Sequence, residues 1–320
     1  MKPHALLLLP LSLWIGWLRA RPPLVGVALA LSGAGLPLAA VGVWLWWVGG
    51  LDPFVELVAR YLIPLYSSLG RSGPWEAIGW QSYGKPFWLA LGALTAFSLA
   101  VMAARGRIEI RRGLLALGVL YGLVHYVGQG KGWEYQLYPL AFFALLLAAA
   151  EVGSTLDRWE WRSHAALLTG AALLAVILGA KGMEAVDSGW IGDKHRRVEV
   201  LVQDLAGRVP SGGTVQVLDT TEGGIQALFR LGIRQPTRFL YDFPLFHAAD
   251  SPVIQRFRLE FLDAVRARPP AFVVVFEKGW PQGGYERIER FPELSVWLRS
   301  EFRMDREGDG YRIYEKRSGQ

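Results

Sequence analysis

Cysteine is absent from all 320 residues. That excludes disulfide staples, thiolate metal sites and a cysteine nucleophile. Histidine is scarce, and His125, His164, His195 and His247 stand at no metal-ligand spacing. The phosphate-loop template G-x-x-x-x-G-K-[ST] is missing as well. Gly128-Gln129-Gly130-Lys131-Gly132 has the wrong spacing, and no Ser or Thr follows Lys131. Charge is sparse, at 19% of residues, where soluble domains run near ~25%.

The shortage is uneven. Residues 1–189 hold 14 Lys+Arg and 10 Asp+Glu, whereas the remaining 131 hold 20 and 18. A single soluble globular domain does not divide this way. The contrast implies an α-helical polytopic membrane domain, 1–189, followed by a small α/β extracytoplasmic domain, 190–320. A membrane helix needs about 20 mostly apolar residues. Six runs approach this: 5–18, 24–48, 87–104, 113–127, 137–152 and 165–180. Backbone polar groups at membrane depth must be satisfied internally, so each run is expected to be a helix.

Basic residues orient the spans. Arg19, Arg21, Arg105, Arg107, Arg111, Arg112, Arg158 and Arg162 fall in one set of loops; Arg60, Arg71, Lys85 and Lys131 fall in the other. The richer set is expected to face the cytoplasm, which places 190–320 outside it. Trp44, Trp46, Trp47, Trp80, Trp88 and Trp133 then form an outer interfacial belt, and Trp14, Trp17, Trp159 and Trp161 an inner one. The basic pI near 9.6 is explained by these loops, so no nucleic-acid partner is expected. In the outer loop 49–86, Phe54, Val55, Leu57, Val58, Tyr61, Leu62 and Leu65 recur at helical spacing, with Asp52, Glu56 and Arg60 as a polar stripe. This is an amphipathic helix on the bilayer surface, or a continuation of the preceding span packed on its neighbours.

The second half alternates helix and strand signals. Helices are expected over 195–209, 223–231, 252–267 and 291–301. Ser251 stands as N-cap with Pro252 at N1 of the third, and Pro269-Pro270 stops it. Strands are expected at 214–218, 238–241 and 271–277, with a hairpin of 302–305 and 311–315 around Gly308-Asp309-Gly310. Such alternation predicts a small mixed sheet.

The segment from His125 to Pro139 joins two spans on the outer side. Its glycines free the backbone to turn, and His125 and Gln129 share a helix face. Lys131 is a cation at the interface among aromatic and hydrogen-bonding groups. Either it neutralises a lipid-linked phosphate, which glycine N–H groups can approach, or it snorkels beside belt aromatics. Asp52 and Glu56 fit a solvated stripe, and Glu134 fits a local ion-pair partner of Lys131. Tyr241-Asp242-Phe243 and Glu222-Gly223-Gly224 either contact an acceptor or serve as turns.

The string Gln129-Gly130-Lys131-Gly132-Trp133-Glu134-Tyr135-Gln136-Leu137-Tyr138-Pro139 resembles the Q-G-K-G-W-x-Y-H-x-x-P segment of bacterial GT-C superfamily glycosyltransferases. These are the polytopic enzymes related to dolichyl-phosphate-mannose (family 39) and aminoarabinose transferases. Lys2-Pro3-His4-Ala5 with the leucine run, and 53–66 after Gly49-Gly50-Leu51, are similar to further helices of that group. The resemblance implies a multi-pass protein of the bacterial inner membrane with a periplasmic C-terminal domain. It implies sugar transfer from a polyprenyl-phosphate donor to a cell-envelope glycan, lipid or protein. Lys131, Gln129, Gly130, Gly132, Trp133, Tyr135, Gln136 and His125 would form the lipid-phosphate and donor site.

Two departures matter. Gln136 stands where the family often has His. The family's acidic catalytic loop has no counterpart here, so the chain is expected to be the C-terminal portion of such an enzyme, and no catalytic residue is assigned. No cofactor is implied; a divalent metal has no ligand set to support it. The alternative is a non-catalytic polytopic membrane protein, a scaffold or lipid-binding module that keeps the fold. Reporter fusions test the orientation: one at Gly106 should be active only in the cytoplasm and one at Gln320 only outside it. The opposite pair of outcomes overturns the orientation, and both fusions reporting the same side overturns the span count.

Overall fold

The computed structural model describes residues 9–19, 22–71, 73, 86–104, 109–157, 165–186, 189–280 and 283–317. The chain is mostly helical, with one small mixed sheet. It divides into two compact units, Met1–Val186 and Asp187–Gln320. The Lys2–His4 segment, Trp80, Trp159, Trp161, His164, Arg21, Lys85, Arg105, Arg107, Arg158 and Arg162 lie outside the described residues, as do the side chains of Trp14 and Glu134.

In the N-terminal unit, helices cover the described part of each apolar run: α1 (Leu9–Arg19), α2 (Pro23–Trp47), α4 (Pro86–Ala104), α5 (Ile110–Gln129), α6 (Tyr138–Asp157) and α7 (Ala165–Val186), with the short α3 (Leu51–Glu56) after α2. Among the described residues three helices are long and apolar enough to cross a membrane: Pro23–Trp47, Ile110–Gln129 and Tyr135–Ser154. The apolar stretch Leu91–Ala104 within α4 is shorter. Helix α2 gives the plainest argument. Only 6% of its most apolar stretch is buried by protein, and Trp47 is 80% exposed. Apolar surface on this scale is stable against hydrocarbon and unstable against water.

Helices α5 and α6 pack most closely. A Cβ on Gly118 would lie 2.3 Å from the Phe143 ring, and one on Gly122 would lie 2.4 Å from the Leu140 Cα. Gly122 thus lets the two backbones approach, and Gly118, four residues earlier, makes room for the Phe143 ring, the small-residue device of membrane helices. Val119, Tyr126, Leu137, Ala144 and Leu147 fill the contact, joined by Trp88, Leu91 and Leu94 of α4. Toward the start of α5, buried Arg112 meets buried Glu151 of α6, with Nε and Oε1 3.1 Å apart. Together with His125, this pair places ionisable side chains within both helices.

The helix expected over 53–66 is present but winds differently. After α3, residues Leu57–Tyr66 form a π-helix with Pro64 inside it. Pro64 cannot donate a backbone hydrogen bond. The Ser67 N–H bonds to the Leu62 carbonyl, five residues back, at 3.0 Å. Arg60 donates to Glu56 at 3.3 Å, so two members of the polar stripe pair.

The C-terminal unit contains α8 (Gly189–Leu205), β1 (Val215–Leu218), α9 (Gly224–Leu231), α10 (Pro252–Ala267), β2 (Phe272–Phe276), α11 (Pro292–Glu301), β3 (Phe302–Gly308) and β4 (Tyr311–Lys316). The sheet order is β1-β2-β4-β3. Strands β1 and β2 are parallel, pairing Val215 with Phe272; the other pairs are antiparallel. Central β2, Phe-Val-Val-Val-Phe, is buried along its whole length, as expected of a strand covered on both faces. Val198 and Leu201 of α8 pack with Val217, Phe276 and Ile313 in one cluster. Phe257, Phe261, Leu294 and Trp297 are buried on α10 and α11.

Two local expectations change. Residues 238–241 are not a strand. The Gln235 side chain takes that place at the edge of β1: its Oε1 accepts the Val217 N–H and the Gln216 amide, each at 2.9 Å. Ser251 does occupy the N-cap of α10 but makes no side-chain cap bond.

The glycine contact yields a prediction. Gly122→Val should force α5 and α6 apart and lower unfolding stability by about 1–3 kcal/mol. Gly153→Ala should not, because open space surrounds that position. Detergent-unfolding curves of the two variants decide the matter.

Candidate functional site

The turn between α5 and α6 is built on two glycines. Gly130 caps α5 in the left-handed region (φ 60°, ψ 19°), and Gly132 follows at φ 64°. Only glycine adopts this backbone without strain. Trp133 returns to an extended conformation and a 3₁₀ turn, Glu134–Leu137, leads into α6. The chain thus reverses in four residues between two long apolar helices.

Lys131 lies between the two glycines, half-buried. Its ammonium donates to the Tyr66 carbonyl at 2.8 Å and sits 3.8 Å from the centre of the Tyr66 ring. The Trp133 ring lies 5.1 Å from it. Tyr66 is the last residue of the π-helix, where the helix end carries partial negative charge; its carbonyl also accepts the Leu69 N–H at 3.2 Å. The cation is thus held by a carbonyl and two aromatic faces. Arg71, five residues after Tyr66, adds a second cation, donating to the Gly128 carbonyl at 3.3 Å.

A separate chain of amides runs behind this turn. Gln136 donates to Gln129 Oε1 at 2.9 Å, and Gln129 Nε2 lies 2.6 Å from His125 Nε2. With Gln129 donating, His125 Nε2 is the acceptor and the neutral ring carries its proton on Nδ1. His125, Gln136 and Gly130 are buried. The Gln136 Oε1 is buried without a hydrogen-bond partner among the described residues. The Tyr121 ring lies 5.7 Å from His125, and the Trp133 and Tyr135 rings are 5.6 Å apart, with Tyr135 exposed.

The residues singled out in sequence therefore form two groups. His125, Gln129 and Gln136 make one hydrogen-bonded line; Lys131 and Trp133 join Tyr66, with Tyr135 beside Trp133. Tyr66 and Arg71 carry no signal in the motif itself. The amphipathic pattern of 53–66 marks the helix that supplies Tyr66, but not that its end meets Lys131.

The loop segments of the C-terminal unit hold buried contacts between its elements. Asp242 and Arg287 form an ion pair at 2.8 Å, each side chain 1% exposed. Arg287 also donates to the Phe276 carbonyl at 2.6 Å and the Leu218 carbonyl at 3.2 Å, joining the ends of β2 and β1. Thr220 donates to Asp242 at 2.6 Å. The Asp219 carboxylate accepts the N–H groups of Glu222, Gly223 and Gly224 at 2.8–3.0 Å. It fills the position an anionic ligand would take at the start of α9. Glu222 itself pairs with Arg197. Among the described residues no group of three His, Asp or Glu side chains is arranged to hold a metal ion.

Comparison of the chain with models of known families, with curated proteins and with solved structures finds no match.

His247 gives a pH-dependent prediction. Its Nδ1–H donates to the Phe243 carbonyl at 2.7 Å. Burial holds its pKa below the ordinary 6.5, against the opposing effect of that bond. Just below pH 6.5 the unfolded chain therefore binds more protons than the folded one. The contribution is present above the unfolded value and is lost as the pH falls through the folded value. Melting curves of His247→Gln should show a shallower acid-side decline than wild type; equal slopes refute the assignment.

Proposed function

We propose that this chain is a glycosyltransferase-like protein of a bacterial inner membrane. Six helices cross the bilayer and the C-terminal unit faces the periplasm. The activity is transfer of a sugar from a polyprenyl-phosphate donor to a cell-envelope acceptor on the outer face. The observation that carries this reading is Lys131, held at the turn of two long apolar helices by the Tyr66 carbonyl and aromatic rings. A cation fixed at that level meets the phosphate of a lipid whose tail lies in the hydrocarbon. The resemblance of the Gln129–Pro139 string to GT-C transferases supports the same assignment.

Each residue then has a chemical task. Lys131 neutralises the donor phosphate and stabilises its added charge as the glycosidic bond breaks. Gly130 and Gly132 keep the turn free of side chains that would obstruct the phosphate. Trp133 and Tyr135 offer aromatic surface to the sugar or the lipid. The line His125–Gln129–Gln136 fixes the end of α5 against the start of α6, and so positions Lys131. Transfer also requires a carboxylate to take the acceptor's hydroxyl proton; Lys131 supplies only the cationic half.

The test uses membranes from cells expressing the full-length reading frame, of which this chain is read as the C-terminal portion. Transfer of label from polyprenyl-phosphate sugars is measured for wild type, Lys131→Ala and Lys131→Arg. Loss of the cation should lower the rate about 100-fold, with partial retention in Lys131→Arg. Unchanged transfer by correctly inserted Lys131→Ala removes the site.

A further inference from the structure

The C-terminal unit has a cleft of about 700 Å³ where the chain enters the parallel strands β1 and β2, at the opposite strand ends from the Asp242–Arg287 pair. Its polar lining is one-sided in charge. Arg234 and Arg268 line it, and no Asp or Glu does. Both arginines are exposed. Neither guanidinium has a hydrogen-bond or ion-pair partner among the described residues. This sets them apart from neighbouring arginines of the unit: Arg208 pairs with Asp305, Arg230 with Glu199 and Arg238 with Glu260.

The backbone ties the segments that carry both arginines to the start of β1. The Arg234 carbonyl accepts the Val215 N–H at 3.2 Å, and the Thr214 carbonyl accepts the Ala271 N–H at 2.8 Å, three residues beyond Arg268. Thr214 pairs with Arg234 in a parallel bridge. Thr214 also lines the cleft; it is 5% exposed and its hydroxyl has no hydrogen-bond partner among the described residues. Leu205, Val209, Leu231 and Ile233 supply apolar wall.

We propose that this cleft binds a phosphomonoester carried on a partly apolar body. Two guanidinium groups match the charge of a phosphomonoester, about −1.5 to −2 near neutral pH. Their planar forks bond phosphate oxygens in pairs, which a lysine ammonium cannot do. The cleft is far larger than phosphate alone, and its aliphatic wall accounts for the rest of the ligand. The site is independent of Lys131, which lies in the other unit.

The phosphate can come from a soluble ester or from a lipid headgroup, and the experiment separates these. The full chain in detergent is titrated with glycerol 3-phosphate in one arm. Dihexanoyl phosphatidic acid, against dihexanoyl phosphatidylcholine, forms the other arm. Binding is read from the shift in melting temperature and from isothermal titration. Arg234→Ala and Arg268→Ala should each weaken binding about tenfold, and the double variant should abolish it. Arg266→Ala, also exposed but outside the cleft, should bind as wild type. Response to glycerol 3-phosphate, lost in the double variant, assigns a soluble ester. Response to phosphatidic acid alone, lost in the same variant, assigns a lipid. No response in wild type, or an equal response in the double variant, overturns the site.

Discussion

Backbone N–H and C=O groups have no partner in hydrocarbon, and this constraint bears on the three described helices long and apolar enough to cross a membrane. A helix meets it, because it satisfies those groups within itself. The constraint also makes the places where helices stop chemically special. At the end of α5 Gly130 caps the helix, and at the end of the π-helix the Tyr66 carbonyl accepts both the Leu69 N–H and the Lys131 ammonium. The position of the cation therefore depends on two helix ends meeting.

Both units bury charge in the same manner, as an arginine fixed to a carboxylate across two elements. Arg112 joins α5 to Glu151 of α6. Arg287 joins Asp242 and the carbonyls at the ends of β1 and β2. Removing one partner of a buried pair strands the other, so such pairs tolerate little change. Arg234 and Arg268 are the contrast: they too are arginines at strand ends, yet they remain in solvent and face a cleft without acid.

The legibility of these features in sequence follows how local their causes are. Helix α10 is readable to its ends because Ser251-Pro252 opens it and Pro269-Pro270 closes it. The β3–β4 hairpin is readable from Gly308-Asp309-Gly310, and buried β2 from its run of apolar residues. The apolar runs of the first unit are readable as helices by length and composition alone. The π winding of Leu57–Tyr66 is not, since Pro64 marks an interruption without saying which hydrogen bonds replace the lost one. The contact of Lys131 with Tyr66 spans 65 residues of chain and leaves no periodic trace. The strand expected at 238–241 fails for a similar reason: one amide side chain does a strand's work, and amide side chains carry no period.

That amide has a consequence for solubility. A sheet edge with unsatisfied N–H and C=O groups recruits strands from other molecules. Gln235 occupies the Val217 N–H at the β1 margin. At the opposite margin β3 exposes Arg303, Asp305, Arg306 and Glu307, and its register shifts between Met304 and Arg306. Both flanks are thus guarded against intermolecular strand addition, one by a mimic of backbone and the other by charge and irregularity. Recognition by this unit is left to its helices, loops and clefts, and its sheet is closed to growth into aggregates.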